Sequence, residues 1–414
     1  MNPYHHLLKS SPIKLSDGFE LNSPLPFETA HQLSDARVVW IDRDAVRRDF
    51  GDYVFEGNCV RSMSDAQMDD WFLRKSAYIS NSQLIPNSVN TEIPVGGNVC
   101  RVWRPKTYGR AGLIEISSET DLDDIKFFDV KGHGVAQGVV AEPFIHRSGL
   151  LPLVQALYDV LVQRIMEKKC RLSDVEIYGA TLYGVIDAGF RGVFESPNSS
   201  FTPCGLTVRA ANLRPEFFSK SREVEKLEWE NISILTGCIL QQMGIFAGPQ
   251  CRLQKADGKL AHPLDILGPV SELTSNIGNS IEGYVSYFNV QLTCTSKVSP
   301  FRVEIVDFGH FYFGERQDSI FLKYKLDASK GALCGTVLDL SEFIVDGIEN
   351  SLKTLSSMRV LDKSVAEFLG FSEQSRMQTE PRAFSAELAF QSMQGRLSTT
   401  DVDYEIKNFV DRYV

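Results

Sequence analysis

Three short stretches place residues that could handle phosphate and a divalent cation. The first is Val303-Glu304-Ile305-Val306-Asp307-Phe308-Gly309, an apolar strand that delivers an aspartate into a turn. A carboxylate at a strand end is rigidly placed, and a hard cation such as Mg²⁺ prefers oxygen ligands of that kind. The plainer reading is an aspartate that caps a surface turn. The second is Phe127-Phe128-Asp129-Val130-Lys131-Gly132-His133-Gly134. Lys131 offers a compact charge to phosphate oxygens, and Gly132 and Gly134 allow close backbone approach. Otherwise Lys131 is an edge-strand lysine before an ordinary turn. His133 is a candidate acid or base, or simply a solvated loop histidine. The third is Leu206-Thr207-Val208-Arg209-Ala210-Ala211-Asn212-Leu213-Arg214. Arg209 and Arg214 leave the end of an apolar strand, and arginine forks match paired phosphate oxygens. Otherwise they are two surface arginines.

The elements that must hold these residues can be read from periodicity. Residues 35–42 read as a strand, 43–50 as a short helix stopped by Gly51, and 60–78 as a second helix. Strands follow at 99–103, 111–116 and 127–130. Leu150, Leu153, Val154, Leu157, Leu161 and Ile165 recur at helical spacing, which predicts a helix over 150–169. Residues 175–185 and 206–209 return to strand. Beyond Arg214 the pattern is mainly helical, at 222–243, 264–288, 338–369 and 400–413. A hairpin over 290–293 and 302–306 interrupts it. The Ser- and Gln-rich stretch 371–399 reads as a mobile connection. A strand-rich half followed by a helix-rich half is an α+β arrangement of two lobes, and the cleft between such lobes is a natural ligand site.

Composition bounds the function classes. The chain has 414 residues, 43% hydrophobic and 23% charged, which excludes disordered, collagen-like and coiled-coil proteins. That length suits two or three domains or one large bilobal unit. The net charge of -10 carries no basic footprint for nucleic acid. No run is long and apolar enough for a transmembrane helix. The start, Met1-Asn2-Pro3-Tyr4-His5-His6, lacks the pattern of a signal peptide. The 8 cysteines are scattered without a CxxC pair, which suggests reduced thiols in a cytoplasmic protein rather than a cysteine metal site.

The order of the segments (lysine strand, long helix, arginine strand, helices, Asp-Phe-Gly turn) is that of protein kinases. With the N-terminal part it resembles the selenoprotein O family of kinase-fold AMP-transferring enzymes, over roughly residues 30–320. Ala36-Arg37-Val38-Val39-Trp40-Ile41-Asp42-Arg43 resembles that family's early strand-helix unit. Trp103-Arg104-Pro105-Lys106-Thr107-Tyr108-Gly109-Arg110-Ala111 resembles its glycine turn, "VPQLGDGRA". Val130-Lys131-Gly132-His133-Gly134 resembles "LKGxG", and Arg147-Ser148 resembles "RSS". Val208-Arg209 and Leu213-Arg214 are similar to its paired arginines. Ile305-Val306-Asp307-Phe308-Gly309-His310-Phe311 resembles "IDYGPFGF".

The resemblance implies a bilobal protein-kinase-like fold. It divides the chain into an N-terminal extension (1–98), a strand-rich N-lobe (99–214) and a helical C-lobe (215–414). It implies ATP and Mg²⁺ in the interlobe cleft. Lys131, Gly132, Gly134, Arg110, Arg209 and Arg214 would hold the nucleotide, and Asp307 and Asn289 the metal. The expected activity is nucleotidyl or phosphoryl transfer to a protein hydroxyl or a small-molecule acceptor, with neither nucleic acid nor membrane as partner. The chain also departs from the family. The helix glutamate that pairs with the lysine has no acidic counterpart at 151–155, where Gln155 is the polar residue. Phe288 takes the place of the loop aspartate that acts as base, so no catalytic residue is assigned. These departures carry the alternative: a catalytically silent kinase-fold protein that binds a partner or a ligand other than ATP.

Overall fold

A computed structural model describes residues 27–84, 90–104, 110–120, 125–135, 148–172, 178–194, 200–211, 282–285, 290–293, 302–305, 336–339 and 358–413. The fold is mixed α and β, built on an eight-stranded antiparallel sheet. Its strands are β1 (Phe27–Leu33), β2 (Arg37–Ile41), β5 (Tyr78–Ser80), β6 (Val95–Trp103), β7 (Ala111–Ser117), β8 (Ile125–Lys131), β10 (Leu182–Gly192) and β11 (Thr202–Ala210), in the order β2-β10-β11-β8-β7-β6-β1-β5. The short strands β3 (Val54–Phe55) and β4 (Asn58–Cys59) pair with each other. β1, β2 and β5 therefore share one sheet with the strands beyond residue 94.

Helices cover both faces. On one face lie α1 (Arg43–Phe50) and α2 (Asp65–Ser76). Phe50 packs edge-on to Phe128 at 5.1 Å and Tyr183 at 5.2 Å between ring centres. Trp71 and Phe72 complete this core with Val130, Leu206 and Val208. On the other face lies α3 (Leu153–Leu172), whose Leu157, Leu161 and Ile165 pack with Trp40, Leu182 and Val185. Three C-terminal helices join this second core: α4 (Lys363–Leu369), α5 (Glu380–Met393) and α6 (Thr399–Tyr413). Among the described residues no helix is long and apolar enough to cross a membrane.

Several local expectations are corrected. The helix expected over 60–78 is a 3₁₀ turn at Val60–Ser62, then α2, then β5. Ser64 sets the break: it caps α2 by accepting from the Gln67 N–H, and Gln67 Oε1 accepts from the Ser64 N–H at 2.9 Å, a capping box. The stretch 371–399 is ordered structure. It holds β17 (Met377–Thr379), paired with β16 (Met358–Val360), and the buried helix α5. Pro381 at the start of α5 suits a first helical turn, and Ala383, Phe384, Ala386, Leu388 and Ala389 bury its face. Part of 338–369 is extended, because Asp362 starts α4 only at Lys363 by accepting from the Ser364 N–H at 2.8 Å. Part of 264–288 is also extended: β12 (Glu282–Val285) pairs with β15 (Thr336–Asp339). The expected hairpin is present as β13 (Val290–Thr293) and β14 (Arg302–Ile305). β14 also pairs in parallel with β9 (Tyr178–Gly179). The helix expected over 222–243 lies outside the described residues.

Candidate functional site

Antiparallel pairing of β8 with β11 decides which side chains meet. Lys131 is opposite Thr207, and Asp129 is opposite Arg209. Their neighbours Phe128, Val130, Leu206 and Val208 belong to the core under α1 and α2. By strand alternation, Asp129, Lys131, Thr207 and Arg209 therefore share the opposite face, towards α3. All four are buried. Sequence reading picked Lys131 and Arg209 out of this set.

Charge on this face is paired. Lys131 Nζ lies 3.2 Å from Asp159 Oδ2, with the two side chains 6% and 10% exposed. Arg209 Nε donates to Asp129 Oδ2 at 3.0 Å. The stretch 151–155 carries no acid, and the carboxylate that meets the lysine comes from Asp159, further along α3. The acid sits one turn beyond 151–155, and Gln155 donates to Asp159 Oδ1 at 2.6 Å. The signal was present in the sequence. Gln155, Asp159, Gln163 and Glu167 recur at every fourth position, and Gln155 and Asp159 are the polar residues that interrupt the apolar positions of its first half. Lower on this stripe, Gln163 Nε2 donates to Glu167 Oε1 at 2.8 Å and to the Ala180 carbonyl at 2.7 Å. Ala180 follows β9, the strand paired with β14, so the stripe runs from Lys131 towards the β9–β14 pair.

The reach of Asp159 depends on how α3 enters. The Gly205 N–H of β11 donates to the Leu151 carbonyl at 2.7 Å, and Pro152 bridges to Cys204. Gly132 completes this close contact. A Cβ on it would lie 2.6 Å from the Gly205 oxygen and 2.8 Å from Leu151 Cβ, and its φ is +102°. Gly134 has φ +105° and abuts Gln83. Both glycines are thus required by the protein's own packing, whatever else approaches them. The Gly132 N–H donates to the Arg110 carbonyl at 2.7 Å, and Ala111 is opposite Lys131, which brings Arg110 to the same end of the sheet.

His133 is fully buried rather than solvated. Its Nδ1 lies 3.1 Å from Ser80 Oγ, and the Ser80 N–H donates to its carbonyl at 2.8 Å. Arg104 donates to the Gly134 carbonyl at 2.6 Å and to Ser80 Oγ at 2.7 Å, and it pairs with Glu28. This network clamps the turn after Lys131 from behind. Burial, reinforced by the nearby Arg104 charge, holds His133 well below its ordinary pKa.

Lys131, Gly132, Gly134, Arg110 and Arg209 thus cluster about one end of β8. Arg214, Asn289 and Asp307 lie outside the described residues, and no group of three His, Cys, Asp or Glu side chains suited to a metal occurs among those described. The Thr207 hydroxyl, opposite Lys131, is buried without a hydrogen-bond partner. Comparison with models of known families yields no match, and comparison with curated protein sequences yields none.

Proposed function

We propose that the chain is an ATP- and Mg²⁺-dependent nucleotidyl- or phosphoryl-transferase of bilobal, protein-kinase-like fold, divergent from selenoprotein O. The Lys131–Asp159 pair carries this reading. A lysine on the third strand of the run β6-β7-β8, held by a carboxylate on the helix that follows, is the arrangement of protein kinases, whose lysine meets nucleotide phosphates. Asp159 supports this reading by supplying, from further along the helix, the acid that 151–155 lacks. Lys131, Arg110, Arg209 and Arg214 would hold phosphates, with Thr207 beside them. Mg²⁺ on Asp307 and Asn289 would neutralise developing charge. Such transfer rests mostly on positioning and charge neutralisation, so Phe288 in the place of the loop aspartate weakens it without abolishing it.

A second reading is favoured by one observation. The Arg209 fork is engaged by Asp129 in a buried ion pair, as suits a protein that binds a partner or another ligand without catalysis. Incubation with ATP labelled at the α or the γ phosphate separates the readings. Label retained from α-³²P alone gives AMP transfer, and label from γ-³²P alone gives phosphate transfer. No label on any protein or metabolite acceptor favours the silent form.

A further inference from the structure

Asp159 uses both carboxylate oxygens. Oδ2 meets Lys131 at 3.2 Å, and Oδ1 accepts from Gln155 Nε2 at 2.6 Å. Gln155 lies one turn earlier on α3. Its remaining amide atom, Oε1, accepts from Arg382 Nη1 at 3.4 Å. Arg382 belongs to the first turn of α5, which shares a buried core with α3 through Phe384, Ala386 and Leu388. An unbroken line of polar contacts thus runs from α5 to the lysine.

The chemistry of each link gives the line a direction. A carboxylate only accepts, so it needs an N–H from Gln155. An amide that presents its NH₂ to Asp159 turns its carbonyl oxygen the other way, where Arg382 supplies a cationic donor. Arg382 therefore fixes the sense of the Gln155 amide. Gln155 fixes the carboxylate plane, and the carboxylate fixes the ammonium. We infer that Arg382 and Gln155 are positioning residues through which the seating of α5 on α3 sets the Lys131–Asp159 geometry. The functional half of this inference rests on the nucleotide reading above; the structural half does not.

The test uses the full chain and two readouts. The first is the rate at which an amine reagent modifies Lys131, followed by peptide mass spectrometry without nucleotide, with Lys126 on the same strand as internal control. The second is Mg²⁺-ATP affinity. Gln155→Met and Arg382→Met should each speed Lys131 modification about three- to ten-fold, the range for one lost hydrogen bond. Arg382→Lys should restore the slow rate, and Lys126 should not change. Mg²⁺-ATP affinity should fall by a similar factor in the two Met variants. An unchanged Lys131 rate in both Met variants overturns the inference. So does a parallel rise at Lys126, which would mean general loosening, or an Arg382→Lys protein as reactive as Arg382→Met. A wild-type chain that binds no Mg²⁺-ATP would remove the proposed function and leave the modification rates to decide the positioning.

Discussion

Lys131 Nζ and Asp159 Oδ2 stand 3.2 Å apart across the sheet–helix interface, with both side chains nine-tenths or more buried. Removal of one partner strands a buried charge, whereas replacement of both by apolar groups leaves none. Asp159→Leu should therefore cost about 3–5 kcal/mol in urea unfolding, and the Lys131→Met, Asp159→Leu double variant should recover most of it. Under the proposed function the stable double variant binds no Mg²⁺-ATP. A double variant that is folded and binds as tightly as the wild type would remove the pair from the ligand site.

Gly132 offers a second test. Any side chain there meets the Gly205 oxygen and Leu151 at the point where α3 enters, with φ at +102°. Gly132→Ala should lower stability by about 2–5 kcal/mol, from backbone strain and overpacking together. Urea titration measures this, and a loss under 1 kcal/mol would mean that the close approach relaxes at little cost.

The His133 network predicts a pH dependence. The unfolded chain binds a proton on this histidine near pH 6.5, whereas burial and Arg104 keep the folded ring neutral well below that. Below about pH 6.5 the unfolded state therefore holds more protons. Stability is full above this pH and is lost as the pH falls, by about 1.4 kcal/mol per unit for this one group. Denaturant titrations from pH 7 to 5 should show the slope, and His133→Gln should flatten it. An equal slope in that variant would assign the acid sensitivity to other groups.

Much of this architecture was legible in the sequence, and the failures have physical causes. The stripe from Leu153 to Ile165 gave α3 because branched and unbranched apolar residues at helical spacing leave little ambiguity. The α5 segment reads as a connection because its buried face is built largely from alanines among serine and glutamine. Small residues carry a weak hydrophobic signal, although they let helices pack closely. Asp159 is not singled out by the sequence, because kinase-like order points to the first turn of the helix and this acid lies beyond it. The contact of Gly132, Gly205 and Leu151 pins that first turn to the sheet, and reach is then set further along. Which carboxylate meets Lys131 depends on this tertiary contact, which periodicity alone does not encode.

The last prediction concerns Asp307, which follows β14. If it ligates Mg²⁺, Asp307→Asn keeps the shape and removes the charge that a hard cation needs. Metal-dependent nucleotide binding should weaken, and any transfer should fall by about 10²–10³, the cost of one lost electrostatic stabiliser. Folding should survive, because a carboxylate at an ion site is no worse replaced by an amide when no ion is bound. If Asp307 only caps a turn, the same change should cost at most about 1 kcal/mol and leave nucleotide affinity untouched, since asparagine caps nearly as well. Calorimetric titration of ATP with and without Mg²⁺ separates these outcomes, whereas the melting curve of the free protein does not. Equal Mg²⁺-ATP affinity in the folded Asp307→Asn chain would count against a metal at this position.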